Sequence, residues 1–280
     1  MQMEPTRYTI NVGGRLTDLT TPVVMGILNV TPDSFHVSID PHSADAEAKI
    51  ASMVTTMLAD GAQMIDVGGC STRPDSDAAD AAEEWTRLDM ALRVIRKRAE
   101  QCVVSVDTFR ADIAERCIGE YGVDIVNDVS GGCADMYDTV ARNGVPYILT
   151  FNEPRRTDMT VCQQALLFFA ERIQLLRDRG QHDIILDPGF GFNKSLDENF
   201  ELMANLDSLR VFQLPLLVGI SHKRMVYQTL GTTHDHAANG TTVLNTIAIT
   251  RGANILRVHD VRNAMECIQL CTSCRLKIEN

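Results

Sequence analysis

In ILRVHDV, residues 255–261, Arg257 and His259 stand two apart inside an apolar run. Residues two apart on a β-strand share a face. A buried strand here therefore aims a guanidinium and an imidazole at one place. Buried cations need a partner, and the alternation turns Asp260 the other way. The pair reads as a cradle for an anion: arginine offers a planar fork, histidine one donor whose charge follows pH. Similar polar residues close other apolar runs: Asn29 after VVMGIL, Asp66 in MIDVGG, Asp107 at the end of VVSVD, Asn127 and Asp128 in DIVNDV, Asp187 in DIILDPG, and Ser221 and Lys223 after LPLLVGI. Carboxylates, amides, an ammonium, a guanidinium and an imidazole that converge on one mouth make a binding or catalytic site rather than a core. Taken singly, Asp66 and Asp128 read better as residues that orient strand-end loops.

The elements that must position these residues are eight strand-like runs, 23–29, 64–69, 103–107, 124–129, 146–151, 183–189, 214–221 and 255–260. Most are continuously hydrophobic, the pattern of parallel strands covered on both faces. Helical patterns lie between them, at 44–61, 81–99, 111–122, 163–180 and 239–252. The second carries acids early and bases late, as the helix dipole favours. Alternating β and α units predict a (β/α)₈ TIM barrel, an α/β fold whose strand C-termini build the site. A doubly wound sheet fits less well, because no GxGxxG follows a strand. Residues 8–19 predict a short N-terminal hairpin at the barrel bottom. Two connections, 30–43 and 70–82, exceed ordinary βα turns and read as lid loops over the mouth. No linker divides the chain, so residues 1–280 are expected to form a single domain.

Of the 280 residues 45% are apolar, enough for one large core, and the formal net charge is −11 with no basic stripe. That argues against nucleic acid as a partner. No run is long enough to span a membrane and no basic leader precedes an apolar stretch. With eight cysteines and no secretory signal, a cytoplasmic, reduced protein is expected. The CxxC at Cys271 and Cys274 and the HDH at 234–236 lack the companions a metal site needs; both read as ordinary helix and turn residues.

GILNVTPDSF (26–35), GAQMIDVGGCSTRP (61–74), SVDTFRA (105–111), VNDVSGG (126–132), ILDPGFGFNK (185–194), GISHKR (219–224) and RVHDV (257–261) together resemble the dihydropteroate synthase family, over residues 22–268. The resemblance implies a pterin-binding TIM barrel. It would condense 6-hydroxymethyl-7,8-dihydropterin pyrophosphate with p-aminobenzoate, with Mg²⁺ assisting. Sulfonamides would be its inhibitors and a homodimer its assembly. Matched motif by motif, Asp187 would take the amino edge of the pterin, Asp107 and Asn127 the rest of the ring, Lys223 its carbonyl or ring nitrogen, and Arg257 one face. Asn29, Thr72, Arg73, Arg257 and His259 would hold pyrophosphate, with Asn29 as a Mg²⁺ ligand. Asp33 would stabilise a cationic pterin methylene. Phe35, Ser71, Thr72, Pro74, Phe190 and Ser221 would receive p-aminobenzoate. Among these Asp33, Asn29, Lys223, Arg257 and His259 are the expected catalytic residues.

Three places depart from the family pattern: Cys70 stands where Glu is usual, TFNEPRR (150–156) replaces a Met-His-Met-like run, and His222 stands where Arg is common. Two rivals remain. A pterin-binding methyltransferase would share the Asp and Asn set but would not need NVTPDSF, STRP and RVHD together. A catalytically silent paralogue would bind pterin or a partner without turnover.

Overall fold

The computed structural model describes residues 8–31, 39–70 and 79–278. The chain opens with two short strands, β1 (Thr9–Val12) and β2 (Arg15–Asp18), paired antiparallel. Then come β3 (Val23–Asn29), α1 (Ala46–Ala59), β4 (Met64–Gly68), α2 (Ala81–Arg98), β5 (Val103–Asp107), α3 (Ala111–Tyr121), β6 (Ile125–Asp128) and α4 (Ala134–Asn143). The second half runs β7 (Tyr147–Thr150), α5 (Val161–Arg177), β8 (Ile184–Asp187), α6 (Leu196–Ala204), β9 (Leu217–Val218), α7 (Arg224–Tyr227), α8 (Ala238–Thr250), β10 (Ile255–Val258) and α9 (Val261–Ile278). One 3₁₀ turn, Leu206–Phe212, precedes β9 and another, His234–His236, follows α7. β3 to β10 form one parallel sheet in the order β8-β7-β6-β5-β4-β3-β10-β9. A parallel bridge between Leu186 and Leu216, with Leu186 N–H donating to the Pro215 carbonyl at 2.9 Å, closes it into the expected (β/α)₈ barrel.

The apolar runs split into two cores because successive strand residues face opposite sides. Val24, Leu28, Ile65, Val67, Val104, Val106, Val126 and Leu149 turn outward and pack under the helices. Val23, Met25, Met64, Ile125, Ile148, Ile185, Leu217 and Ile255 turn inward. This inward set forms the barrel base, and Tyr8, Ile10, Val12 and Leu19 of the hairpin segment plug it from below. Each step of two toward the strand C-terminus keeps the same inner face. It leads from Met64 to Asp66, from Ile125 to Asn127, from Ile185 to Asp187 and from Ile255 to Arg257 and His259. The inner face is thus apolar at the base and polar at the mouth.

Helix ends follow local chemistry. Thr160 with Gln163 and Ser195 with Glu198 form capping boxes at α5 and α6. Gly122 (φ 57°) and Gly144 (φ 62°) end α3 and α4 in the left-handed conformation that glycine tolerates. The run 214–221 yields only two residues of regular strand, because Pro215 removes a ladder donor and the chain turns sharply at His222.

Because the hairpin segment fills the barrel base, Leu19→Ala should cost about 2–5 kcal/mol, the usual range for a buried leucine cavity. Leu19 is fully buried. Urea unfolding would measure the change; a loss under about 0.5 kcal/mol, the scale of surface substitutions, would mean that the plug contributes nothing to the core.

Candidate active site

Register brings the polar layer together. Asn29 lies level with Gly68, Gly68 with Asp107, and Asp107 with Asn127. Gly68 keeps this row open: a Cβ there would lie 3.1 Å from the Asn29 Oδ1 and 3.7 Å from the Asp107 Cβ. Deeper in the barrel Arg257, level with Met25 of β3, reaches inward. Its Nε donates to Asp66 Oδ2 at 2.6 Å and its Nη2 to Asp107 Oδ2 at 2.7 Å. Asp66 Oδ2 also accepts from Asn127 Nδ2 at 2.9 Å. Asp66 is fully buried. It is the hub that fixes both the guanidinium and the amide.

This corrects the first expectation for Arg257. The guanidinium is already paired with two carboxylates of its own barrel, Asp66 and Asp107. Asp260 does face away, as the alternation requires, and pairs with His222. Burial opposes the charge on Arg257, but Asp66 and Asp107 outweigh it and raise its pKa. Burial pushes the Asp107 carboxyl up, with Asp66 and Asp128 adding, yet the contact with Arg257 opposes this and favours the ionised form. Asp66 Oδ1, Asp107 Oδ1 and Asn127 Oδ1 are buried without any hydrogen-bond partner, as are the inner-face hydroxyls of Ser105 and Thr150. Buried acceptors without donors are costly and call for an explanation. A ligand rich in N–H groups provides one.

The far wall carries Asp187 and Lys223. Asp187 Oδ1 accepts from the Gly189 N–H at 2.8 Å. Gly189 has φ 68° and lies so near Phe151 that a Cβ would be 2.2 Å from its carbonyl oxygen. Only glycine fits this turn. Burial raises the Asp187 pKa against the opposing charge of Lys223. Burial lowers that of Lys223 to about 8, with Asp187 opposing. The Lys223 Nζ donates to the Phe190 carbonyl and lies 4.9 Å from the Phe192 ring centroid. Phe190 was expected as an apolar wall. Its side chain is instead wholly inside the outer core, and it reaches Lys223 only through its main chain. Sequence reasoning passed over Lys194, whose Nζ donates to the Phe151, Gly189 and Phe192 carbonyls at 3.0, 2.8 and 3.0 Å. It staples the β7 and β8 ends together, although burial lowers its pKa to about 7.

At the third side, Ser221 Oγ accepts from the main-chain N–H of His259 at 3.2 Å and contacts its ring Nδ1 at 3.0 Å. Ser221 is buried and so engaged with the imidazole, not presented alone to solvent. Beside them a cleft of about 410 Å³ opens between α1 and the start of α9, lined by Ser52, Thr56, His259, Asp260 and Arg262 among others. Asp128 behaves as read: Ser130 N–H and Oγ donate to Oδ1, Tyr147 OH to Oδ2, and it organises the turn after β6. Asp33, Phe35, Ser71, Thr72, Arg73 and Pro74 lie outside the described residues, as do half of the first lid loop and most of the second.

The departures from the family pattern have local partners. Cys70 lies within hydrogen-bonding reach of Arg110, which pairs with the buried Glu84. After β7, Arg155 bridges to Glu198 of α6 at 2.5 Å, and the Asn152 amide donates to the Val129 carbonyl at 2.7 Å. Among the described residues no three His, Cys, Asp or Glu side chains cluster for a metal. An ion held mainly by pyrophosphate oxygens and water needs no such cage. The side-chain oxygen of Asn29 lies across Gly68 from Asp107 at the mouth.

The fold and mouth define a class: a (β/α)₈ barrel enzyme whose polar groups converge at the C-terminal ends of its strands. Residues 25–259 match the pterin binding enzyme family. A dihydropteroate synthase of Streptococcus pyogenes serotype M18 is 38% identical over 255 residues, 89% of this chain and 94% of that protein. Among solved structures, the Yersinia pestis dihydropteroate synthase in a sulfonamide drug complex superposes with a TM-score of 0.87 at 32% identity, covering 96% of this chain and 100% of that one. The Xanthomonas albilineans enzyme with 4-aminobenzoic acid gives 0.87 at 31% identity, covering 96% and 99%. The chain belongs to the dihydropteroate synthases, a family of transferases among the pterin-binding enzymes.

Proposed function

We propose that this barrel condenses 6-hydroxymethyl-7,8-dihydropterin pyrophosphate with p-aminobenzoate, giving 7,8-dihydropteroate and pyrophosphate. The observation that carries this reading is the set of buried acceptors without donors, Asp66 Oδ1, Asp107 Oδ1 and Asn127 Oδ1, facing Asp187 and Lys223 across the mouth. A pterin presents adjacent N–H and NH₂ groups for the carboxylates, and a carbonyl and ring nitrogen for the ammonium. Asp187 takes the amino edge, Asp107 and Asn127 the remaining donors. Arg257, locked by Asp66 and Asp107, lies along the ring as a fixed plane and turns Nη1 toward the departing pyrophosphate. His259 and Asn29 complete the anion site, with Thr72 and Arg73 assigned to it from the motif. Bound at Asn29, Mg²⁺ would neutralise charge on the pyrophosphate oxygens.

Departure of pyrophosphate leaves positive charge on the pterin methylene, which the ring delocalises and Asp33 stabilises. The aminobenzoate nitrogen attacks without a strong base. Phe35, Ser71, Thr72, Pro74 and Ser221 hold the aminobenzoate, and sulfonamides compete for that place. We assign the chain to the cytoplasm, supported by its eight cysteines, none of which is in a disulfide; no described helix is long and apolar enough to cross a membrane. A homodimer would cover Val243 and Leu270, which are 51% and 68% exposed on α8 and α9.

Pyrophosphate should appear when the protein meets both substrates and Mg²⁺, and not with either substrate alone. Methyltransfer from a reduced folate, or pterin binding without product, would replace this reading by one of the rivals. The KM for the pterin substrate should also rise as pH climbs through about 8, where Lys223 loses its charge. In Lys223→Arg that rise should vanish, because a guanidinium stays charged.

A further inference from the structure

His222 has a left-handed backbone, φ 53°. A non-glycine residue keeps that conformation only where its surroundings impose it. Here four contacts do so. The main-chain N–H donates to Thr241 Oγ1 at 3.1 Å. Ring Nδ1 faces the His234 carbonyl at 2.7 Å and Nε2 faces Asp260 Oδ2 at 2.6 Å. The His234 ring lies tilted against it, 4.9 Å between centroids. The His222 ring is buried, and its edge meets His259 at 6.1 Å. The reversed backbone sends this ring behind the mouth. Two straps then join the turn 221–223 to residues 259–260: Ser221 to His259 and His222 to Asp260.

We propose that His222, held by Asp260, is a positioning residue for His259. The imidazole of His259 takes its orientation from Ser221 Oγ. The place of Ser221 depends on the left-handed turn, and the turn depends on the two acceptors that grip His222. If the ring contacts are lost, the backbone at residue 222 relaxes toward negative φ, Ser221 swings, and His259 loses its support. Lys223 is less affected, because the Phe190 carbonyl holds its ammonium separately. This inference rests on the assignment of His259 to pyrophosphate.

The test is a double-mutant cycle on the full chain, with inorganic pyrophosphate and Mg²⁺ as the titrant in calorimetry. His222→Gln has one side-chain donor group for two distant acceptors and should weaken pyrophosphate binding about tenfold, within the range for coupled neighbours. His259→Ala should weaken it too, and the double variant should be no weaker than His259→Ala alone. Binding of a pterin lacking the pyrophosphate should stay within about twofold in His222→Gln, too small a change for a coupled neighbour. A global packing role would give additive losses on both ligands. Additive losses, or pyrophosphate binding in His222→Gln equal to the parent, overturn the inference while leaving the anion site intact. A parent that does not bind pyrophosphate overturns the anion assignment and the inference together. If His222→Gln does not fold, Asp260→Ala enters the same cycle with the same expected pattern, since its side chain is 37% exposed.

Discussion

Arg257→Ala should lose turnover by several orders of magnitude and stability at the same time. Charge stabilisation lost from a dry site accounts for about 3–4 kcal/mol of the barrier. The stability loss has a different origin. Asp66 and Asp107 each take a guanidinium donor, at 2.6 and 2.7 Å, and both are buried. Removing one partner of a buried ion pair leaves uncompensated charge and costs about 3–5 kcal/mol. The sign with pH follows. Burial already pushes Asp107 above its ordinary range, and Arg257 opposes that push. Without the guanidinium the carboxyl rises further, so the folded variant binds protons more readily than the unfolded chain. Its stability should then be greatest below the ordinary carboxylate range and fall as pH rises toward neutrality. Urea unfolding of parent and variant at pH 6 and pH 8.5 would show a deficit that grows above about pH 7, where the parent's Asp107 ionises. A deficit independent of pH would mean that the two carboxylates do not rely on Arg257. Arg257→Lys should fall between, since an ammonium cannot fill both positions of the fork.

The sequence carried the two-residue spacing of Arg257 and His259, and the inner face they share is real. It did not carry what lies across the barrel. Asp66 and Arg257 are nearly two hundred positions apart, and only the pairing of β3 with both β4 and β10 brings them together. Asp66 on its own looked like a loop-orienting residue. Its place two residues after the inward Met64 was the available signal, since the same step leads from Ile185 to Asp187. Strand positions were legible because parallel strands must be apolar on both faces. The short strand at Leu217–Val218 was overestimated because Pro215 and the left-handed His222 truncate an otherwise apolar run. Phe190 illustrates the reverse error: motif position placed it at the mouth, while backbone reversal at Gly189 and Gly191 turns its ring into the core. Lys194 was invisible because its partners are carbonyl groups, which sequence does not display.

Asp187→Asn should weaken pterin binding by about 30- to 1000-fold, or 2–4 kcal/mol, while leaving the chain folded. The structure fixes which way the new amide must face. Asp187 Oδ1 accepts from the Gly189 N–H at 2.8 Å, in a turn that only glycine can make. An asparagine keeps its oxygen there to satisfy that donor, so its NH₂ points into the mouth, where the pterin brings donors of its own. Donor then faces donor, and both are buried. Burial already raises the Asp187 pKa, so a neutral side chain removes a desolvation cost, which offsets in part the charge lost beside Lys223. Lys223 should respond as well. Asp187 is the main charge that supports its ammonium, and without it the lysine pKa should fall further below about 8. The loss of pterin affinity should therefore deepen from pH 6.5 to pH 8, as the lysine neutralises earlier than in the parent. Calorimetry with a pterin ligand at both pH values, beside a thermal melt, separates the contributions. Equal affinity in parent and variant would remove Asp187 from the amino edge of the ring, and a loss that does not change with pH would remove Lys223 from its proposed partnership with it.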